Sequence, residues 1–297
     1  MEYKVFYKEI QFSHIVIIDC LSEYESQTAL HLENFLIDSN FEKESILYYK
    51  VTDATSFNDV INQIRIEVLE DGSVFRPLIH IEAHGSESAL HISDKGEYIP
   101  WSGIVDFFRA VNAAMNNQLV SFIATCHAYN FIKQNNTISK FAPAYFCITP
   151  IEKISVSDLE IATFTFYGGI LKNQDLTKSS NLLDFNKLYV YNSDKMFTSS
   201  FHAAMQEHNR GRGFRIRVEL LLSELISGLG DIYTNMAIEE RKVYRRNSRK
   251  KIKKIIKQYD FNKAQFNSQS ETYLGYVNEH AFNEIWTHMV VNMQRHR

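Results

Sequence analysis

Two segments that the sequence predicts as strands end in reactive side chains. The stretch PLIHIEA leads directly into His84 and Gly85, and the stretch LVSFIAT leads directly into Cys126. Ligands of open parallel sheets bind beyond the carboxyl ends of the strands, and consecutive strands are commonly neighbours in the sheet. A thiol and an imidazole are therefore expected to share one cleft.

This combination of groups suits cleavage of a peptide bond, which needs a nucleophile, a proton donor and donors for the developing oxyanion. Cys126 is the candidate nucleophile, because a nearby imidazolium lowers a thiol pKa from about 8.5 and produces thiolate at neutral pH. His84 would then protonate the leaving amine as a general acid. Gly85 has no Cβ, so its N–H can approach the substrate carbonyl and form an oxyanion hole with the Cys126 N–H.

The same two blocks resemble the signature of caspase-like cysteine peptidases, in which one strand ends in His-Gly and a later one in Thr-Cys. In this sequence 42 positions separate His84 from Cys126, close to the roughly 50 of the caspase pattern. The resemblance is more specifically to bacterial CHAT-domain peptidases and covers roughly residues 10–175. It is carried by PLIHIEAHGSESALHI, WSGIVDFF and VSFIATCHAYN, with weaker support from residues 141–171.

The resemblance implies a covalent thioacyl intermediate on Cys126 and a reaction that needs no metal or other cofactor. Bacterial members of this group often act as regulated effectors, including in antiphage and cell-death systems, where an upstream signal or partner releases the protease. A small-molecule or nucleotide activator, or an upstream partner protein, is therefore expected beside the protein substrate.

Substrate specificity does not carry over from the known families. Caspases follow the cysteine with Arg-Gly, whereas Cys126 precedes His-Ala, and metacaspases and legumains have an acid where this chain has Ala124. Asp19, at the end of the first predicted strand, is the nearest acidic candidate for substrate binding, although such residues also cap turns. Glu82 could orient His84 or bind substrate, or it could satisfy backbone donors near the cleft.

A metal site is an alternative use of the same strand. His80, Glu82 and His84 alternate along it, and Cys126 or His127 could complete a ligand set. A histidine in the interior of a strand is more often a hydrogen-bonded core residue, so we expect no metal.

The cysteines and the apolar runs indicate a cytosolic protein. Three cysteines at wide spacings fit neither a disulfide framework nor a CxxC metal site. Cys20 and Cys147 belong to apolar strands and are expected to be small buried hydrophobes without chemistry. Neither a signal-peptide core nor a membrane-spanning run is present in the sequence, so no membrane partner is expected.

The elements that position these residues alternate between apolar β-rich runs and amphipathic helical patterns, which is typical of a parallel sheet with crossover helices. We predict an α/β fold for residues 1–205, a caspase-like α/β/α sandwich with a mainly parallel central sheet. The predicted strands are Ser13–Cys20, Ser45–Thr52, Pro77–Ala83, Leu119–Thr125 and Pro143–Thr149, with helices at Gln27–Asn40, Ser56–Glu70 and Ile104–Met115 and a hairpin in ALHISDKGEYIPW.

A separate helical region is predicted for residues 206–297, because apolar residues between Val218 and Leu229 share one helical stripe. Within it, residues 241–257 carry ten basic side chains and no acid, so the rest of the chain has a net charge of −13 against −3 for the whole. The spacing predicts an amphipathic basic helix that continues through Ile252, Ile255 and Tyr259. Such a face can meet an anionic partner or simply remain solvated.

Nucleic-acid binding by this helix is not favoured. Tyr244 is the only aromatic residue in the tract suited to base stacking, and the protein as a whole is acidic. We therefore expect a cysteine endopeptidase that acts on proteins through His84 and Cys126, with the C-terminal helices as a sensor or docking element. The alternative is a protein that kept this fold, lost turnover and serves as a ligand sensor or scaffold.

Overall fold

The computed structural model describes residues 12–72, 74–134, 137–209 and 211–295. The chain divides into two compact units, the first ending at Lys195 and the second beginning at Met196. This division falls inside a helix that spans Ser193–His208, earlier than the boundary after residue 205 that the sequence suggested.

The first unit is α/β and is built on a six-stranded sheet with the strand order β2-β1-β3-β7-β8-β9. The first five strands in this order are parallel, and the last pairs antiparallel with its neighbour. All five predicted parallel strands are confirmed, with ends displaced by up to three residues. The strands of the unit are β1 (His14–Asp19), β2 (Ile46–Lys50), β3 (Pro77–Glu82), β4 (His84–Gly85), β5 (Ala89–Ile92), β6 (Glu97–Pro100), β7 (Val120–Ala124), β8 (Phe146–Pro150) and β9 (Leu188–Asn192).

Helices connect the parallel strands, as the apolar periodicity predicts. Asp53 is the N-cap of the second helix, Ala54–Asp71. It forms a capping box in which its carboxylate accepts a hydrogen bond from the Ser56 N–H at 2.7 Å. The helices are α1 (Thr28–Asp38), α2 (Ala54–Asp71), α3 (Trp101–Ala114), α4 (Tyr129–Lys133), α5 (Val156–Asn173), α6 (Leu176–Ser180) and α7 (Ser193–His208).

Both faces of the central sheet are buried. Ile15 and Ile17 of β1 pack in one core with side chains of α1 and α5. Val16 and Ile18 of the same strand point to the opposite face and are equally inaccessible to solvent. A parallel strand that is buried on both faces has apolar side chains along its whole length. This arrangement is compatible with an α/β/α sandwich.

A second, three-stranded antiparallel sheet has the order β4-β5-β6. The β5–β6 hairpin confirms the sequence prediction, and Gly96 in its turn adopts a φ of +63° that favours glycine. The short strand β4 was not predicted, and it carries two of the candidate site residues. The buried Trp101 indole N–H donates to the Ser86 carbonyl at 2.9 Å, which ties the loop after β4 to the start of α3.

The second unit is formed by helices, joined by short turns in the part that the structure describes. The basic tract lies on α10 as predicted, but the predicted continuation through Tyr259 is wrong. The helix ends at Ile255, Gln258 is extended (φ −85°, ψ 142°), and Tyr259 starts the next helix. The helices are α8 (Gly211–Leu229), α9 (Asp231–Thr234), α10 (Ile238–Ile255), α11 (Tyr259–Leu274) and α12 (Glu279–Arg295).

Throughout the described residues, every helix is too short or too polar to cross a lipid bilayer.

Candidate active site

The loops that follow β3 and β7 are in direct contact. A Cβ placed on Gly85 would lie 2.3 Å from the carbonyl oxygen of Cys126 and 2.4 Å from the Thr125 methyl group. Because β3 and β7 are hydrogen-bonded neighbours, their carboxyl ends leave the sheet side by side. The structure therefore brings His84, Gly85 and Cys126 to one place, and glycine at position 85 is required by this close packing.

The backbone N–H of Gly85 is oriented away from its own sheet. The Ser86 N–H donates to the Ala89 carbonyl at 2.9 Å, so these two residues form a hydrogen-bonded antiparallel pair. Hydrogen-bonded and non-hydrogen-bonded pairs alternate along such a ladder, and the next pair is Gly85 with Leu90. The Gly85 N–H, on edge strand β4, therefore points away from β5.

The second predicted oxyanion donor is also available. The Cys126 N–H donates to no acceptor among the residues that the structure describes. Backbone donors that are oriented but unpaired can stabilise negative charge that develops on a bound carbonyl oxygen. Among the described residues, the Cys126 N–H is thus available for that role, and the Gly85 N–H is directed away from β5.

The backbone just after the cysteine has an unusual conformation. His127 adopts φ +59°, in the left-handed region that non-glycine residues rarely occupy, and its N–H donates to the Glu152 carbonyl at 3.2 Å. Backbone strain of this kind concentrates at functional sites, where the surrounding structure holds it in place. Cys126 is partly exposed, and its Sγ lies 3.8 Å from the Ile154 carbonyl oxygen, so the loop after β8 also borders the site.

His84 has an acidic partner that the sequence analysis did not identify. Its Nε2 contacts the Oε1 atom of Glu25. Glu25 lies in the loop after β1 and is 59 positions before His84 in the sequence. The His84 side chain is 55% exposed, so it is accessible to solvent. The described contacts include no hydrogen bond between His84 and Cys126.

The Glu25 carboxylate is held in place by several donors. Its other oxygen accepts from the Ser22 N–H at 2.7 Å, and the Gln27 amide donates to the Ser22 and Glu25 carbonyls, each at 2.9 Å. Burial opposes ionisation of Glu25, but hydrogen bonds from Ser22, His84 and Ser93 outweigh it and lower the pKa to about 2.

This ionised carboxylate determines which nitrogen of His84 can exchange a proton. A carboxylate only accepts hydrogen bonds, so the Nε2 that faces Glu25 carries hydrogen. Nδ1 is then the nitrogen whose lone pair is available as a base. Glu25 therefore has the geometry of a residue that orients a catalytic histidine.

Asp19 is buried and fully engaged with its own protein. Its carboxylate accepts from Tyr48 Oη at 2.5 Å, from Lys50 Nζ at 2.8 Å and from the Leu21 N–H at 3.0 Å. The last contact is the turn-capping role that the sequence left open. A basic substrate side chain would have to compete with Lys50 for this carboxylate.

Glu82 is buried and contacts His80 rather than His84. The His80 Nε2 lies 3.1 Å from Glu82 Oε1, and the His80 ring packs against the rings of Phe122 and Tyr167. Glu25 thus occupies the position relative to His84 that the sequence analysis considered for Glu82. His80 is a hydrogen-bonded core residue, and no group of three potential metal ligands occurs within residues 12–295 as described.

The other two cysteines differ from Cys126 in their surroundings. Cys20 and Cys147 have no solvent exposure. Burial, with a smaller effect of Asp19, raises the pKa of the Cys20 thiol well above its usual range, and burial raises that of Cys147 to about 12. Both are buried free thiols that stay protonated, whereas Cys126 is a partly exposed free thiol.

Strand order supplies the signal that could have identified Glu25. Strand β1 lies beside β3, so the loop after β1 emerges at the same edge as His84. That loop contains the acids Glu23 and Glu25 in a stretch with no helical or strand periodicity. The sequence alone did not distinguish which of these carboxylates would reach the imidazole.

No protein-family model and no curated protein matches this chain. The geometry of the loops at the carboxyl ends of β1, β3, β7 and β8 is thus the basis on which a function is assigned.

Proposed function

We propose that this protein is a cysteine endopeptidase in which Cys126 is the nucleophile and His84 the general acid and base. The observation that carries the proposal is the close approach of Gly85 to the Cys126 carbonyl oxygen, because His84 directly precedes this glycine in the chain. The caspase-like form of the α/β/α sandwich, suggested by the resemblance to CHAT-domain peptidases, is part of the same proposal.

In the proposed reaction, His84 Nδ1 accepts the thiol proton and the Cys126 thiolate attacks the carbonyl carbon of the substrate. The Gly85 and Cys126 N–H groups stabilise the oxyanion. The C–N bond breaks, the amine leaves with the proton from His84, and the acyl group remains on sulfur as a thioester. Water then attacks the thioester, His84 transfers the water proton to the departing sulfur, and the acid product is released.

Glu25 acts through His84 in this scheme. Its carboxylate accepts from Nε2, which holds the ring so that Nδ1 remains the proton-exchanging atom, and it stabilises the imidazolium that forms. We therefore treat Glu25 as a positioning residue.

Covalent labelling with a peptide acyloxymethyl ketone tests the nucleophile. Wild type should be labelled at Cys126, and both Cys126→Ala and His84→Ala should lose labelling. Cys147→Ala is the matched control, because it removes a thiol that is buried away from solvent and should leave labelling intact. Labelling that persists in Cys126→Ala would rule out the assigned nucleophile.

Mass spectrometry of new protein N-termini in a cell lysate tests turnover and regulation. The lysate is treated with wild type or Cys126→Ala, with and without small-molecule extract from stressed or infected cells. Termini that appear only with wild type would establish proteolysis, and dependence on the extract would support the regulated effector role. Covalent labelling without any new terminus in either condition would favour a silent sensor or scaffold.

The proposal places the enzyme in the cytosol and requires a reduced nucleophile. The three cysteines are free thiols in the structure, which fits a reducing compartment. Protein substrates and an activating ligand or partner follow from the family resemblance.

A further inference from the structure

The helical unit contains an apolar cavity that the peptidase proposal does not use. It has a volume of about 410 Å³ and lies among α8, α10 and the start of α11. Cavities of this size are in the range of small-molecule sites, roughly 300–1,000 Å³. Its lining consists of Leu221, Leu225, Tyr244, Ser248, Lys251, Ile252, Ile255 and Phe261.

The cavity is open to solvent and lies next to the hydrophobic core that α8 and α10 form. Leu222 and Ile252 are almost fully buried between α8 and α10. Leu225 and Ile255, one turn away on each helix, remain 43% and 39% exposed. Adjacent exposed aliphatic side chains that form a concave wall are typical of a binding surface.

Aromatic contacts hold two walls of the cavity in place. The Tyr244 ring meets Tyr233 edge to face, with ring centroids 6.0 Å apart. The Arg217 guanidinium lies over the Phe261 ring at 5.7 Å and also donates to Asn262 Oδ1 at 3.1 Å. Because these contacts fix the side chains of both walls, the cavity is preformed. Binding of a ligand would therefore cost little free energy for ordering these side chains.

A positive charge without a carboxylate partner lies at the cavity. Lys251 lines it, and Lys254 is three residues further along the same helix, which places it beside Lys251 on the helix surface. Neither forms an ion pair with a described residue, whereas Lys242 on α10 pairs with Glu239 at 2.8 Å. The described lining residues include no acid.

We propose that this cavity binds the anion of a long-chain fatty acid. The aliphatic and aromatic walls would contact the hydrocarbon chain, and Lys251 and Lys254 would pair with the carboxylate at the edge. A flat nucleobase or a polar peptide would leave polar groups against walls that offer few partners. The proposal is independent of the peptidase chemistry, since it concerns residues of the second unit only.

Titration of the full-length protein with cis-parinaric acid, a fatty acid that fluoresces in apolar surroundings, tests the proposal. A saturable increase in fluorescence is expected. Palmitate should displace the probe, and cetyl alcohol, which has the same chain length and no charge, should displace it only at higher concentrations. Equal displacement by the alcohol would show that the lysines do not recognise the ligand and would overturn the proposal.

Variants identify the site of binding. Lys251→Gln should weaken binding about fivefold to tenfold through loss of a charged hydrogen bond, and Leu225→Ser should weaken it about tenfold. Lys242→Gln is the matched control, because Lys242 and Lys251 are nine residues apart on α10 and therefore on opposite sides of the helix. Circular dichroism checks that each variant is folded.

Three further outcomes would overturn the proposal. The first is a probe signal that does not saturate. The second is wild-type affinity in both Lys251→Gln and Leu225→Ser. The third is displacement of the probe by an acidic peptide or an oligonucleotide at concentrations below those of palmitate, which would identify a macromolecule as the occupant. Protease labelling at Cys126 is measured separately, so failure of one proposal leaves the other intact.

Discussion

The Cys126 carbonyl oxygen occupies the space where a Cβ on residue 85 would lie, at 2.3 Å. No side chain larger than hydrogen fits there unless the loops after β3 and β7 separate. The same contact sets the distance between His84, which precedes the glycine, and the candidate nucleophile. A change at position 85 should therefore alter catalysis without touching either reactive side chain.

Gly85→Ala should lower kcat/KM by about a hundredfold, because a displacement of about 1 Å in an active site is enough for such a loss. The measurement is peptidase activity on the peptide identified from cleaved substrates. Gly103→Ala is the matched control, since a Cβ there meets nothing within 4 Å. It should retain activity and gain roughly 0.5–1 kcal/mol of stability from the helix preference of alanine. Wild-type activity in Gly85→Ala would contradict the proposed site geometry.

Glu25→Gln should lower kcat about fivefold to tenfold with little change in KM, because a neutral amide replaces the charged acceptor of the His84 Nε2 hydrogen bond. Steady-state kinetics on a cleaved peptide separates the two constants. Glu23→Gln, an exposed acid two residues earlier in the same loop, should behave as wild type. An equal loss in both variants would indicate a general effect of loop charge rather than orientation of the histidine.

The contribution of Glu25 to stability should depend on pH in a defined direction. Its pKa in the folded protein is lowered from a usual 4.5 to about 2, so the folded state favours the ionised form. The stabilisation is therefore fully present above pH 4.5 and is lost as the pH falls from there towards 2. Urea midpoints of wild type and Glu25→Gln should differ above this window and converge within it.

Alkylation should distinguish the three thiols. Native protein treated with iodoacetamide should gain one adduct, on Cys126, while denatured protein gains three. The reason is that Cys20 and Cys147 have no solvent exposure and raised thiol pKa values. Intact-mass spectrometry and peptide mapping provide the measurement, and a rapid second adduct on the folded protein would contradict the burial described for the other two.

Asp19→Ala should destabilise the fold by about 2 kcal/mol, because it removes a buried acceptor of hydrogen bonds, while the Lys50 side chain that loses its partner is 28% exposed and stays in contact with water. Tyr48 and Lys50 both lose their acceptor. Urea denaturation measures the effect, and Asp59→Ala, at an exposed position of α2, should stay within about 0.5 kcal/mol of wild type. Unchanged stability in Asp19→Ala would instead favour the predicted role of this carboxylate in substrate binding.

Local sequence determined the framework of the first unit. The continuous apolar runs of β1, β3 and β7 can be satisfied only by burial on both faces, so their positions and their parallel arrangement followed from composition and periodicity. The burial of Cys20 and Cys147 followed in the same way from the apolar runs around β1 and β8. The position of His84 and Cys126 just beyond the ends of β3 and β7 could be predicted because each strand ends where its run of apolar residues ends.

The partners of the site residues were decided by tertiary structure. Glu25 reaches His84 across 59 positions because β1 pairs with β3, and the acceptor role of Asp19 towards Lys50 depends on β1 also pairing with β2. The cavity beside Lys251 exists because two helices pack at a particular rotation and leave Leu225 exposed. Such contacts join residues far apart in the chain, and no local pattern of hydrophobicity specifies which side chains will meet.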